Sequence, residues 1–170
     1  QIRIEATTDV REILASLNHL VRGQATNQYM TLFLGVIYVQ AQTITYCNAG
    51  HNFPYVLSVR DHSLHYLENS SLPLGFVHHD PLPPSVYHFH EEDILFFYTD
   101  GVVEAMNEEG ELYGYPRLEQ LLLSHSNDDL LTIHLKILEH LESFCRETPQ
   151  DDDMTLILMH KPRQKSLIAC

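Results

Sequence analysis

The sequence predicts an α+β fold in which antiparallel sheet is covered by helices. Two observations point there. After one N-terminal helical stretch, β-rich stretches cluster between residues 31 and 98, most of them joined by short polar breaks, and helical periodicity returns from about residue 116. Neither a βαβ alternation nor a Gly-rich phosphate loop occurs, which argues against a nucleotide-binding fold.

The elements follow in order. Ile13, Leu14, Leu17, Leu20 and Val21 fall at helical spacing, with Asp9 and Glu12 as a capping pair and Gly23 as a stop, so a helix is expected over 9–21. TLFLGVIYV and TITYCNAG flank Gln40-Ala41-Gln42 and read as a hairpin. PYVLSV and LHYLE flank Arg60-Asp61-His62-Ser63 and read as a second hairpin. Pro73, Pro81, Pro83 and Pro84 make 70–84 a surface loop. SVYHFH then alternates, and DILFFYTDG is a nearly continuous apolar strand ending at Asp100-Gly101. Two helices are expected next. One runs from Pro116 to Leu123; the other is capped by Asn127, carries a stripe of Leu131, Leu135, Leu138, Leu141 and Cys145, and closes at Pro149. The last strand, MTLILM, is apolar on both faces and is entered through Asp151-Asp152-Asp153. Residues 1–161 are expected to form one domain and 162–170 a tail.

With 170 residues, 44% hydrophobic and 19% charged, the chain has a globular composition able to bury one core. Ten basic against 23 acidic residues give a formal charge of −13. That field repels phosphate backbones and anionic lipid, which argues against nucleic acid and membrane as partners. No apolar run approaches the ~20 residues that cross a bilayer, and no secretory signal opens the chain. Cys47, Cys145 and Cys170 are widely spaced, with no CxxC pair, and read as reduced thiols of a cytoplasmic protein. Gln1 in place of an initiating Met leads to the expectation that the chain begins partway through a longer protein.

Two features could carry chemistry. Asp100 ends a strand expected to be central and buried, and Gly101 beside it permits a sharp turn or a close backbone approach. An Asp-Gly pair is also ordinary turn composition, and local physics alone favours the turn. The triplet 151–153 leads straight into a strand, and alternation turns Asp152 away from Asp151 and Asp153. Its oxygens suit a hard cation such as Mg²⁺ or Mn²⁺, whereas most such runs are solvated loops. Were the two strands neighbours, Asp100 and Asp152 could share a metal.

Five stretches in register carry a more specific signal: YMTLFLGVI, ITYCNAGHNFPYVL, SLPLGF, DILFFYTDGVVEAMNEEGELYG and DDDMTLILM. Together they resemble the bacterial, stage II sporulation protein E-like branch of the metal-dependent protein phosphatases (PPM), over most of residues 9–160. The resemblance implies an α-β-β-α sandwich of two antiparallel sheets flanked by helices, here its C-terminal two-thirds, with the N-terminal part missing. It implies a protein serine/threonine phosphatase acting through two Mn²⁺ or Mg²⁺ ions that activate water, with no covalent phosphoenzyme. Asp100 in YTDGVVEA and Asp152 in DDDMT match the family's metal-binding aspartates. Gly101 and Asp153 stand beside them. Glu104 matches an acidic position and is open between supporting the ligands and an ion-paired surface role. The implied substrate is a phosphoprotein of a signalling switch, such as an anti-anti-sigma factor, and an upstream sensor domain is expected in the parent protein.

The family's earlier GD-containing and DxxGHG-like motifs are absent from this chain, so Asp100 and Asp152 are expected to be half of a site. The chain alone is then expected to be inactive or nearly so, with exposed sheet edges open to homodimerisation. A phosphatase fold that binds a regulatory partner without hydrolysis is the competing reading. Among the histidines, His51 in AGHN reads as a turn residue supporting the sheet ends. His88 and His90 share a strand face, but without nearby cysteines they read as solvent-facing.

Overall fold

The computed structural model describes residues 7–23, 29–76 and 83–161. The elements run α1 (Val10–Arg22), β1 (Leu32–Tyr38), β2 (Thr43–Ala49), β3 (Tyr55–Ser58), β4 (Ser63–Tyr66), β5 (Ser85–His88), β6 (Ile94–Tyr98), α2 (Gly114–Ser124), α3 (Leu130–Cys145) and β7 (Leu156–His160). They form two compact units, Gln1–Phe53 with Leu67–Phe89, and Pro54–Tyr66 with His90–Cys170. Each unit holds one antiparallel sheet, as the α+β reading requires.

In the first unit α1 starts where the Asp9 carboxylate accepts from the backbone N–H groups of Arg11 and Glu12, and it ends at Gly23. Its apolar stripe buries Val10 and Leu14 with Cys47, Ala49 and Leu74, and Leu17, Val21, Leu34 and Val36 pack alongside. The three-stranded sheet runs β1-β2-β5. β1 and β2 pair from Leu32↔Ala49 to Tyr38↔Thr43, the first expected hairpin. After β2 the chain turns through Gly50 (φ +72°), where a Cβ would lie 2.8 Å from the Pro73 ring. The fully buried Asn48 shapes this turn: its amide donates to the His51 carbonyl (2.8 Å) and accepts from the His51 N–H (2.7 Å). His51 is thereby a turn residue. The loop that follows β4 is pinned by backbone pairing of Met30 with Leu74.

The second unit carries the four-stranded sheet β4-β3-β6-β7. The Tyr55, Phe96 and Tyr98 rings stack on one another in its core, with α2 and α3 contributing Leu118, Leu122, Ile133, Ile137 and Leu141. The apolar run of β6 is explained by its place between β3 and β7.

Several expectations change. The cap of α3 is Asp129, not Asn127: its carboxylate accepts from the Thr132 N–H and hydroxyl (both 2.9 Å). α2 begins at Gly114, two residues before Pro116. The predicted α3 stripe is largely the outward one. Ile133, Ile137 and Leu141 are buried, whereas Leu131, Leu135 and Leu138 are 66%, 48% and 43% exposed. A helix apolar nearly all round offers two stripes at the same period, and only packing selects one. β7 is not buried on both faces either: it ends the strand order, leaving Ile157 and Met159 exposed. β5 stops at His88, so His90 lies beyond the strand. The expected tail, 162–170, and Pro81 of the loop lie outside the described residues.

Candidate metal-binding site

The site is assembled by β6 and β7, which are hydrogen-bonded neighbours with Tyr98 opposite Leu156. Antiparallel pairing puts the exit of β6 beside the entry of β7, so the loops bearing Asp100 and Asp152 emerge at the same end of the sheet. Thr99 clasps them. Its N–H donates to the Thr155 carbonyl (3.2 Å), its hydroxyl donates to the Asp153 carbonyl (2.9 Å), and the Thr155 N–H donates to that hydroxyl (2.8 Å). Gly101 is buried against the same segment. A Cβ there would lie 2.7 Å from the Asp153 carbonyl oxygen and 3.2 Å from that of Asp152. The glycine thus permits the close approach expected of it.

Past the strand, Asp100–Val102 form one 3₁₀ turn, with the Asp100 carbonyl accepting from the Val103 and Glu104 N–H groups (both 2.9 Å). Asp100 and Asp152 are exposed, although the strand that Asp100 follows is itself buried. Each carboxylate uses one oxygen locally: Asp100 Oδ1 accepts from the Gly101 N–H (3.2 Å), and Asp152 Oδ1 from the Asp153 N–H (2.8 Å). Asp151, Asp153 and Glu104 are exposed as well. Among the described residues no ion pair engages Glu104, and no group of three or more His, Cys, Asp and Glu side chains is arranged to hold a metal. The donor chemistry fits a hard divalent cation, since only carboxylate oxygens are offered.

Two contributors were not read from the sequence. Thr99 is the clasp, and its signal was its place between the apolar strand and Asp100. Tyr115, in the first turn of α2, has its phenol held above its ordinary value by burial and by the negative charges of Glu104 and Asp100. Beside the two loops opens a cleft of about 600 Å³ whose lining includes Gly101, Glu104, Leu138, Glu142, Asp151 and Asp152.

The family model described as stage II sporulation protein E (SpoIIE) matches residues 2–162. The chain belongs to the SpoIIE family. The phosphoserine phosphatase RsbU of Bacillus subtilis (strain 168) is 25% identical over 151 residues, 88% of this chain and 44% of that protein. The chain therefore spans less than half the length of that relative. Among solved structures, the SiaA-PP2C domain of Pseudomonas aeruginosa superimposes with a TM-score of 0.78 at 18% identity, over 89% of this chain and 61% of that one. The SpoIIE phosphatase domain of Bacillus subtilis, presoaked with Mn, gives 0.67 at 18% identity, over 95% and 70%. These likenesses show that the SpoIIE-family chain has the fold of PP2C phosphatase domains.

Proposed function

We propose that this SpoIIE-family chain is the C-terminal part of a metal-dependent protein serine/threonine phosphatase domain, with Asp100 and Asp152 among its metal ligands. One observation carries the reading: the β6–β7 pairing brings the two aspartate-bearing loops to one end of one sheet, locked by Thr99 and Gly101. Asp100 and Asp152 would hold Mn²⁺ or Mg²⁺ through their remaining oxygens. When bound, a pair of such ions supplies a water of lowered pKa and polarises the phosphoryl oxygens. The protein's part is positional. Thr99 fixes the spacing of the two loops, Gly101 lets them touch, and Asp153 anchors the clasp through its carbonyl. Glu104 adds negative charge one turn from Asp100 and supports the ligands electrostatically.

The substrate we propose is a phosphoserine or phosphothreonine protein of a signalling switch, such as an anti-anti-sigma factor. The likeness to a protein named phosphoserine phosphatase supports this. We further propose a cytoplasmic setting, control by an upstream sensor domain, and homodimerisation through sheet edges; among the described residues no helix is long and apolar enough to cross a membrane.

That no three or more His, Cys, Asp and Glu side chains are arranged to hold a metal among the described residues favours one alternative, a phosphatase-fold module that binds a partner without turnover. Hydrolysis of p-nitrophenyl phosphate and of a phosphoserine protein with Mn²⁺, by this chain and by the longest natural protein containing it, separates the two. The account expects turnover by the longer protein and little or none by this chain. A longer protein inert on both substrates would establish the binding module instead.

A further inference from the structure

The cleft beside Asp152 has a chemistry that the metal site does not use. Its apolar lining includes the buried Ala105 and Leu141, the half-buried Met106 and Met154, and the exposed Leu138. Four carboxylates line the cleft: Asp152 and Glu104 also belong to the candidate metal site, Glu142 and Asp151 do not, and no Lys, Arg or His is among the lining residues. Glu104, Glu142 and Asp151 take part in no ion pair among the described residues. At about 600 Å³ the cleft falls in the range of sites that enclose a ligand, which is ~300–1,000 Å³. It also accounts for Leu138, which α3 turns away from the core and which is 43% exposed.

An apolar lining that also carries carboxylates suits one type of side chain, an aliphatic stem ending in a positive head. Lysine and arginine are built that way. The need for such a residue also follows from charge. A phosphoserine brought to a chain of formal charge −13 meets repulsion that flanking positive charge offsets. We propose that this cleft is a specificity pocket for the substrate polypeptide, seating a Lys or Arg that flanks the phosphorylated residue. The inference rests on the phosphatase reading for the word substrate, but the recognition of a basic segment stands apart from catalysis. Asp152 borders both the cleft and the candidate metal site, so an occupant of the one lies beside the other.

The test separates binding from turnover. Two fluorescein-labelled peptides with an unphosphorylated central serine, one flanked by Lys and one by Glu, are titrated against this chain and followed by fluorescence anisotropy. The Lys peptide should bind roughly tenfold more tightly, the scale set by one close charge pair in place of a like-charge contact. Glu142→Lys should remove most of that preference. Glu109→Lys, a charge reversal outside the cleft, should keep it, which distinguishes the pocket from the general acidity of the chain. Leu138→Asp should weaken the Lys peptide by replacing apolar lining with a carboxylate, even though it adds negative charge. Equal binding of the two peptides, or the same loss in Glu109→Lys as in Glu142→Lys, would overturn the proposal. So would a longer natural protein that no longer binds the Lys peptide, because its own chain would then cover the cleft. Hydrolysis of p-nitrophenyl phosphate by the longer protein is measured in parallel. Its failure would remove the phosphatase reading and leave the peptide result standing.

Discussion

Replacing Gly101 by alanine probes the joint between the two aspartate loops. The added Cβ would sit 2.7 Å from the Asp153 carbonyl oxygen, 3.2 Å from its carbonyl carbon and 3.2 Å from the Asp152 carbonyl oxygen. Ordinary contact begins near 3.4 Å, so the β7 approach must retreat by about 0.7 Å. The obstructing atoms are backbone, and they are held by the hydroxyl of Thr99 at 2.9 Å, so no side chain can rotate aside. Overpacking of this kind costs about 1–3 kcal/mol. For a chain of this length a 2 kcal/mol loss lowers the melting temperature by roughly 4–8 °C. Gly110→Ala is the control. Its backbone is left-handed (φ +77°) but its surroundings are open, so it carries a conformational cost of about 1–2 kcal/mol and no displacement of the site. Thermal unfolding and Mn²⁺ titration by calorimetry, on the longest natural protein containing this chain, read the two consequences separately. Gly101→Ala should lose both stability and metal affinity, and Gly110→Ala stability alone. A Gly101→Ala protein that melts at the wild-type temperature and binds Mn²⁺ normally would refute the reasoning.

Three further outcomes are expected. Asn48→Ala leaves the N–H and carbonyl of His51 without the amide that satisfies both, and should cost about 2 kcal/mol in urea unfolding. Phe96→Ala removes a fully buried ring stacked against both Tyr55 and Tyr98 and should cost about 3–5 kcal/mol by the same assay. The backbone N–H and hydroxyl of Thr132 hold the Asp129 carboxyl below its ordinary value of 3.8. Its stabilisation is therefore fully present above the unfolded value and lost as pH falls through the lower folded one. Asp129→Asn retains a capping oxygen without the titration, so its urea midpoint should fall less than that of the wild type below about pH 4.

Much of the fold was legible because local rules and packing agree. Asp9 and Gly23 bracket α1 by capping chemistry, and the two hairpins follow from apolar runs broken by short polar turns. The reading failed where two local solutions were equivalent. α3 offers apolar stripes through both Leu131-Leu135-Leu138 and Ile133-Ile137-Leu141, and nothing in the period says which one meets the sheet. Asn127 and Asp129 are both good caps, and the choice rests on which carboxylate or amide reaches Thr132. The expected burial of β7 failed because an apolar sequence does not reveal whether a strand ends the sheet. At the site, local physics made Asp100 and Asp152 only weak candidates and the family motifs singled them out, while the meeting of their loops at one end of the sheet depends on the pairing of β6 with β7. Thr99 could not be found by type alone, since a threonine after an apolar strand is commonplace. Its role exists only through the Asp153 carbonyl and the Thr155 N–H that the pairing brings to it.

Mn²⁺-dependent hydrolysis of p-nitrophenyl phosphate tests whether Asp100 and Asp152 are metal ligands of a phosphatase centre. The assay compares the longest natural protein containing this chain with its Asp100→Asn and Asp152→Asn variants. Both carboxylates are exposed, so either amide should fold normally and leave the melting temperature of the metal-free protein unchanged. Each substitution should lower turnover by at least about a hundredfold, the scale associated with losing a group that positions a catalytic metal. Wild-type turnover in either variant would contradict the assignment of that aspartate.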